Sequence, residues 1–298
     1  MAGLLNRLLT LDRRWLFLLV FLGVATPIVL PIGLPVTTTA STRTAFEYIE
    51  SLHPGDVVWL SFDYGPSSAP ENDPMADGFL RQCFSKKLRV IVCALYPLGG
   101  LGLANNSIAR VTAEYPGVKY GQDYVNLGYK DGAAAVMRRL DKDIVGVFPA
   151  DVRGTPIAQL PILSGVRNIR DVKVVFTVAT GIIGEYWITQ VHQQSGTPII
   201  IGPTAVGAPK YYAYMNAGQL VGMLGGMKGA AEYEKLLAAG YPELARFYRG
   251  TREFTATKGM DGQTVIHAVI ILFILVGNFA FWRQRSAQRA EEQRRSRA

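Results

Sequence analysis

The chain has 298 residues, 49% of them hydrophobic, with a formal net charge of +8. That length holds one large domain or two small ones, and the composition excludes a disordered or low-complexity protein. The basic excess sits at the ends, +2 in the first 14 residues and +4 in the last 16, against +2 for the whole middle, which argues against nucleic-acid binding.

Residues 1–14 form a basic flank in which Arg7, Arg13 and Arg14 oppose Asp12. Residues 15–36, WLFLLVFLGVATPIVLPIGLPV, are uncharged across 22 positions, long enough for a helix to cross a bilayer core. The apolar run is longer than a signal peptide's and no clear small-x-small cleavage site follows it, so it reads as an anchor. Pro27, Pro31 and Pro35 recur every four residues and predict a kinked or irregular outer half.

Residues 37–263 alternate helical and strand patterns. An amphipathic helix over 42–52 leads through HPGD into a strand over 56–62, and a helix over 74–87 precedes a second strand over 88–95. A helix over 103–115, a short strand over 123–129 and a helix over 131–140 follow. After an irregular stretch come a strand over 172–180, a helix over 183–196 closed by Gly196, and a strand over 197–202. Near-continuous Val/Ile runs between helices predict an α/β domain with a mostly parallel, Rossmann-like sheet covered on both faces.

A second apolar segment, residues 264–282, predicts another transmembrane helix. His267 lies close enough to its outer boundary to reach the headgroups. The tail, 283–298, carries Arg283, Arg285, Arg289, Arg294, Arg295 and Arg297 against Glu291 and Glu292. A basic tail argues against a lipid-anchor signal. Positive charge beside both spans places both termini in the cytoplasm and the α/β domain outside it, in the inner (plasma) membrane, with the tail near anionic headgroups.

Ligands of open parallel sheets bind at the carboxyl ends of strands, so those loops hold the candidate ligand-binding residues. Asp63 ends the first strand, followed by Tyr64 and a Gly-Pro-Ser loop. It would hold a cation, accept a substrate hydroxyl or act as a base, or else simply cap the turn. Pro97 lies in LYPLGGLGLANN, where the Gly100-x-Gly102 pair is a poor dinucleotide fingerprint because Asn105 stands at its sixth position. Thr204 and the tyrosines of 211–214 follow the last strand and would line a cleft or pack. Asp151 and Arg153 read as a local ion pair. Three scattered histidines and two cysteines make no zinc site, and no motif implies a cofactor. Cys83 and Cys93 read as small buried apolar residues.

The stretch GQLVGMLGGMKGAAEYEKLL, 218–237, fails as a phosphate loop because Met227 precedes Lys228 and Gly229 follows it. Placed on one helix, Gly218, Gly222, Gly225, Gly226 and Gly229 share a sector of about 100°, opposite Leu220, Met223, Leu224, Met227 and Ala231. Each mid-helix glycine costs about 1 kcal/mol. The pattern therefore predicts another backbone against that face, from this chain or from a second copy in an oligomer interface.

SFDYGP, GQDYVNLGYKDG, FPADVRGTP and the GPTAVGAPKYYAYMNAGQLVGMLGGMKGAAEYE block, with the flanking anchors, resemble an uncharacterised family of prokaryotic two-span membrane proteins with an extracytoplasmic α/β domain. The likeness implies an architecture and no functional residue. The reading is a membrane protein presenting an α/β domain for binding or assembly, with lipid and protein partners or a homo-oligomer. The alternative is a membrane-anchored enzyme or small-molecule receptor with a cleft at the strand ends.

Overall fold

The computed structural model describes residues 12–30, 32–245 and 255–296. Arg7, Pro31 and Arg297 lie outside the described residues. The chain divides into two compact units, one from its two ends (Met1–Leu34 with Lys258–Ala298) and one from Pro35–Thr257.

The unit Pro35–Thr257 is an α/β sheet of six parallel strands: β1 (Val57–Asp63), β2 (Arg89–Ala94), β3 (Tyr124–Tyr129), β4 (Val175–Ala179), β5 (Ile199–Pro203) and β6 (Gly222–Met223). Their order is β3-β2-β1-β4-β5-β6, the doubly wound order in which the chain reverses direction between β1 and β4. All seven residues of β1 are buried. A central parallel strand is covered on both faces, so it reads as a continuous apolar run rather than an alternation.

In the end unit, α1 (Arg13–Val29) runs through Pro27, and the chain is non-helical from Ile32 until α2 (Ala40–Glu50). The unit Pro35–Thr257 continues with α3 (Ala69–Ser85), α4 (Gly100–Thr112), α5 (Ala133–Leu140) and α6 (Ile183–Tyr186). A π-helical turn, Trp187–His192, extends α6. Then come α7 (Tyr211–Asn216), α8 (Gly226–Gly240) and α9 (Thr255–Arg295), the last of which runs into the end unit.

Strand parity sorts the core. Val57 and Trp59 cluster with Val136, Met137 and Leu140 of α5 and with Trp187, Ile188 and Val191 after α6. On the other face α3 packs against β2, β4 and β5, with the Phe79 and Phe176 rings 4.8 Å apart, and α8 packs on α3. α2 shows why such helices form: Thr42, Ala45, Phe46 and Ile49 are its buried residues, spaced i, i+3, i+4 and i+7. Each fully buried large apolar side chain contributes roughly 1.5–3 kcal/mol.

The glycine stretch is not one helix. Gly218 ends α7 at φ +71°, β6 occupies Gly222–Met223, and α8 begins at Gly226, φ +61°. Left-handed φ is inaccessible to most residues and breaks a helix. Three of the five glycines make the close approaches that the composition requires, all within this chain. A Cβ on Gly222 would run into Ala45 of α2, one on Gly226 would lie 2.8 Å from the Ala205 Cα, and one on Gly229 would lie 2.5 Å from the Leu224 carbonyl carbon. Gly218 is exposed and Gly225 half-buried.

Helix α9 is 41 residues long, about 60 Å at 1.5 Å per residue, and belongs to the end unit from Lys258 onward. Its stretch Thr255–Ser286, whose most apolar 18-residue window has mean hydropathy 2.4, is the one described helix long and apolar enough to cross a membrane; the N-terminal apolar helix is shorter, Arg14–Pro27. The two pack through small residues, a Cβ on Gly23 meeting Val265 at 3.5 Å. Asp261 accepts the backbone N–H groups of Ile32, Gly33 and Leu34 at 2.8–2.9 Å.

Candidate functional site

The carboxyl edge of the sheet holds a cavity of about 410 Å³ between the ends of β4 and β5, lined by Thr180, Thr204, Val206, Lys210 and Tyr211 among others. Its size suits a small organic molecule. It lies one strand away from the β1/β4 reversal, where ligands of such sheets usually bind.

Asp63 and Ala179 are register partners at the ends of β1 and β4. The Asp63 side chain points inward and is fully buried. Its Oδ1 accepts the Leu95 N–H at 3.1 Å, and its Oδ2 accepts the Thr177 hydroxyl and the Trp187 indole N–H, both at 2.7 Å. Burial pushes the carboxyl above its ordinary value, against the pull of hydrogen bonds from Thr177, Ser61, Trp187 and Leu95. The π-helical turn carries Trp187, so an extra residue per turn aims the indole at the carboxylate. One acid thus fastens β1, β4, the end of β2 and the helix after β4.

The other candidates fall in different places. Tyr64 is buried on the opposite face, as the next residue of an extended chain must be, and its hydroxyl donates to Asp73 at 2.6 Å. Pro97 is exposed in the loop after β2. Of the four ligand candidates, Thr204 alone lines the cavity, joined by Tyr211 from the tyrosine run. The glycines of LYPLGGLGLANN make no phosphate cradle: a Cβ on Gly100 would lie 2.9 Å from the Phe62 carbonyl oxygen, so this glycine seats α4 against β1. Asp151 and Arg153 do not pair side chain to side chain as expected. Asp151 accepts the Arg153 and Thr155 N–H groups and the Tyr120 hydroxyl, all at 2.8 Å, while the Arg153 guanidinium stacks 3.4 Å from the Tyr120 ring centre.

The cavity walls are held in place from several sides. The Thr204 hydroxyl oxygen and carbonyl accept the Gly207 N–H at 3.3 and 3.0 Å, and Glu71 of α3 accepts the Ala205 N–H at 2.8 Å. Lys210 donates to the Gly181 carbonyl and to Glu185, both at 2.6 Å, with its ammonium 4.9 Å from the Tyr211 ring centre. The Tyr211 ring forms part of the wall, and its buried hydroxyl has no hydrogen-bond partner among the described residues. Burial, with Glu185, Tyr214 and Asp63 nearby, pushes that phenol well up. Thr180, Gly181, Glu185 and Lys210 escape sequence reading because no motif marks them. The one available signal is their position, directly after β4 and β5.

The cavity offers hydroxyls, one ammonium and apolar walls. Its lining contains no Ser, Cys, His, Asp or Glu. Among the described residues no three His, Cys, Asp or Glu side chains gather as for a metal. The fold and site thus define a parallel α/β protein with a preformed pocket at its carboxyl edge. No protein-family model matches the chain, and neither the curated proteins nor the solved structures contain a match.

Proposed function

We propose that this protein is a membrane-anchored binding protein whose α/β domain holds a small organic ligand at the carboxyl ends of β4 and β5. The observation that carries the reading is the cavity itself: apolar walls of Ala179, Pro203 and Val206 with Thr180, Thr204 and Lys210 placed for an acceptor group. Such a lining fits a compact molecule with an apolar body and a carbonyl, hydroxyl or carboxylate. Assembly through a glycine face loses its support, because Gly222, Gly226 and Gly229 abut this chain's own residues. Membrane attachment rests on Thr255–Ser286 and on the shorter apolar helix before the domain, and the arginines beyond both segments favour cytoplasmic termini.

Thermal unfolding of the full chain in mild detergent, against a panel of small carboxylates, sugars and amino acids, tests the site. At least one compound is expected to raise Tm in the wild type and to lose that effect in Thr180→Phe, which fills the cavity. A panel without effect, or stabilisation that survives the filling, removes the proposal. Topology has a separate test. Val206 is 92% exposed and both native cysteines are buried, so Val206→Cys gives a clean labelling site. A membrane-impermeant maleimide is expected to label it in intact cells stripped of outer layers. Labelling only after permeabilisation inverts the orientation.

A further inference from the structure

Helix α8 holds the chain at both ends of the α/β unit. On the incoming side, Lys235 donates to the Val36 carbonyl at 2.7 Å and Lys228 to the Thr37 carbonyl at 3.4 Å. Glu232 accepts the N–H and hydroxyl of Thr39, the residue that precedes α2, at 3.0 and 2.6 Å. On the outgoing side, Glu234 accepts the N–H of Ala256 at 3.1 Å and the N–H and hydroxyl of Thr257 at 2.8 and 2.6 Å. Ala256 and Thr257 belong to the first turn of α9, whose N–H groups have no acceptor inside the helix. Glu234 is therefore a cap supplied by another helix.

The two acids have similar partners and different electrostatic surroundings. Glu232 is paired with Lys228 one turn earlier on α8. Glu234 is faced from α3 by Arg81, whose guanidinium also binds Glu114 at 2.8 and 2.7 Å. The acid on α2, Glu50, is engaged by Gln82, Lys86 and Tyr241, and Ala256 and Thr257 bring no charge.

We propose that Glu234 is a pH-operated latch: protonated, it keeps the first turn of α9 docked on α8, and ionised, it favours release of that turn. With the proton on Oε1, Oε2 still accepts both Thr257 bonds, and the contact given up is the longest, to Ala256. Burial pushes this carboxyl up to about 7, against the downward pull of Thr257, Ala256 and Arg81. A group whose docked value lies above its ordinary 4.5 binds protons more tightly when docked. Docking is then fully supported below that ordinary value and weakens as pH rises through about 7. Glu232 is the built-in control. Burial pushes it up too, but Lys228 and Thr39 outweigh burial and hold it below its usual range, so the Thr39 clasp stays ionised across neutral pH.

The test is amide hydrogen exchange on the full chain in detergent micelles from about pH 5.5 to 8.5, with protection corrected for the intrinsic pH dependence of exchange. Protection at Ala256 and Thr257 is expected to fall at least about tenfold across that range while protection at Thr39 holds, and Glu234→Gln is expected to flatten the profile. Flat protection at Ala256 and Thr257 in the wild type overturns the latch, and so does an equal loss at Thr39, which would mean opening of the whole unit. Should Glu234→Gln fail to fold, the wild-type comparison of the two clasps decides alone.

Discussion

Tyr211→Phe removes one atom and is expected to stabilise the protein, the reverse of most core substitutions. Tyr211 is 1% exposed and its hydroxyl is buried without a partner among the described residues. Burying an unpaired hydroxyl costs about 1–3 kcal/mol. The substitution leaves a void of roughly 10–15 Å³, which at about 24 cal/mol per Å³ returns only about 0.3 kcal/mol of that gain. The net is about 0.7–2.7 kcal/mol of added stability, or roughly 1–11 °C in Tm for a unit of this size. Tyr233→Phe provides the opposite control. Its hydroxyl is buried and donates to the Gln82 side-chain oxygen, so its loss orphans an acceptor and is expected to cost about 1 kcal/mol. Both variants are measured by urea and thermal unfolding of the full chain in one detergent. A Tyr211→Phe protein less stable than wild type by about 1 kcal/mol, or a shift of the same sign in both variants, would falsify the hydrogen-bond accounting around the cavity wall.

Other substitutions probe the remaining contacts. Asp63→Asn keeps an acceptor for Leu95 but turns an amide toward Trp187, and the unmatched indole N–H is expected to cost about 1–3 kcal/mol and to shift Trp187 fluorescence; unchanged stability rejects the fastening role. Burial raises the Asp63 value in the folded state, so its contribution is present below 3.8 and lost as pH rises through the folded value, and the wild-type stability profile is expected to carry that loss while the Asn variant does not. Gly222→Leu drives a side chain into Ala45 and is expected to cost about 1–3 kcal/mol or more by overpacking, with no change of particle mass in light scattering for the folded fraction; a dissociated but folded particle would return this glycine to an interface between copies. Cys83 and Cys93 are buried free thiols whose values burial raises, so a thiol reagent is expected to modify neither in the native protein and both in guanidinium, and rapid native labelling of either contradicts the core assignment.

Five of the six strands are legible in the sequence because a strand buried on both faces is apolar at most positions, as VVWLSFD and VFTVA are despite Ser61, Asp63 and Thr177. β6 is not legible, because two residues, Gly222 and Met223, are too few to carry a period. The glycine stretch misleads for a related reason. A 100° projection assumes helical φ at every position, and Gly218 and Gly226 depart from it where only neighbouring contacts decide. Residues at the carboxyl edge divide by parity. Thr204 and Tyr211 reach the cavity, while Asp63, the last residue of a strand with no exposed face, is drawn into the interior by three donors from three separate elements. Sequence order does not reveal that convergence, and a π-helical turn leaves no compositional trace.

The grip of α8 on both chain ends has a mechanical consequence. Lys228, Glu232, Glu234 and Lys235 lie within two turns of one helix, about 10 Å of axis, and between them they hold Val36, Thr37, Thr39, Ala256 and Thr257. Tension between the two ends of the α/β unit therefore runs through a short segment of α8 and leaves the parallel strands outside the load path. The unit can be tugged at its tethers without shearing the sheet that shapes its cavity.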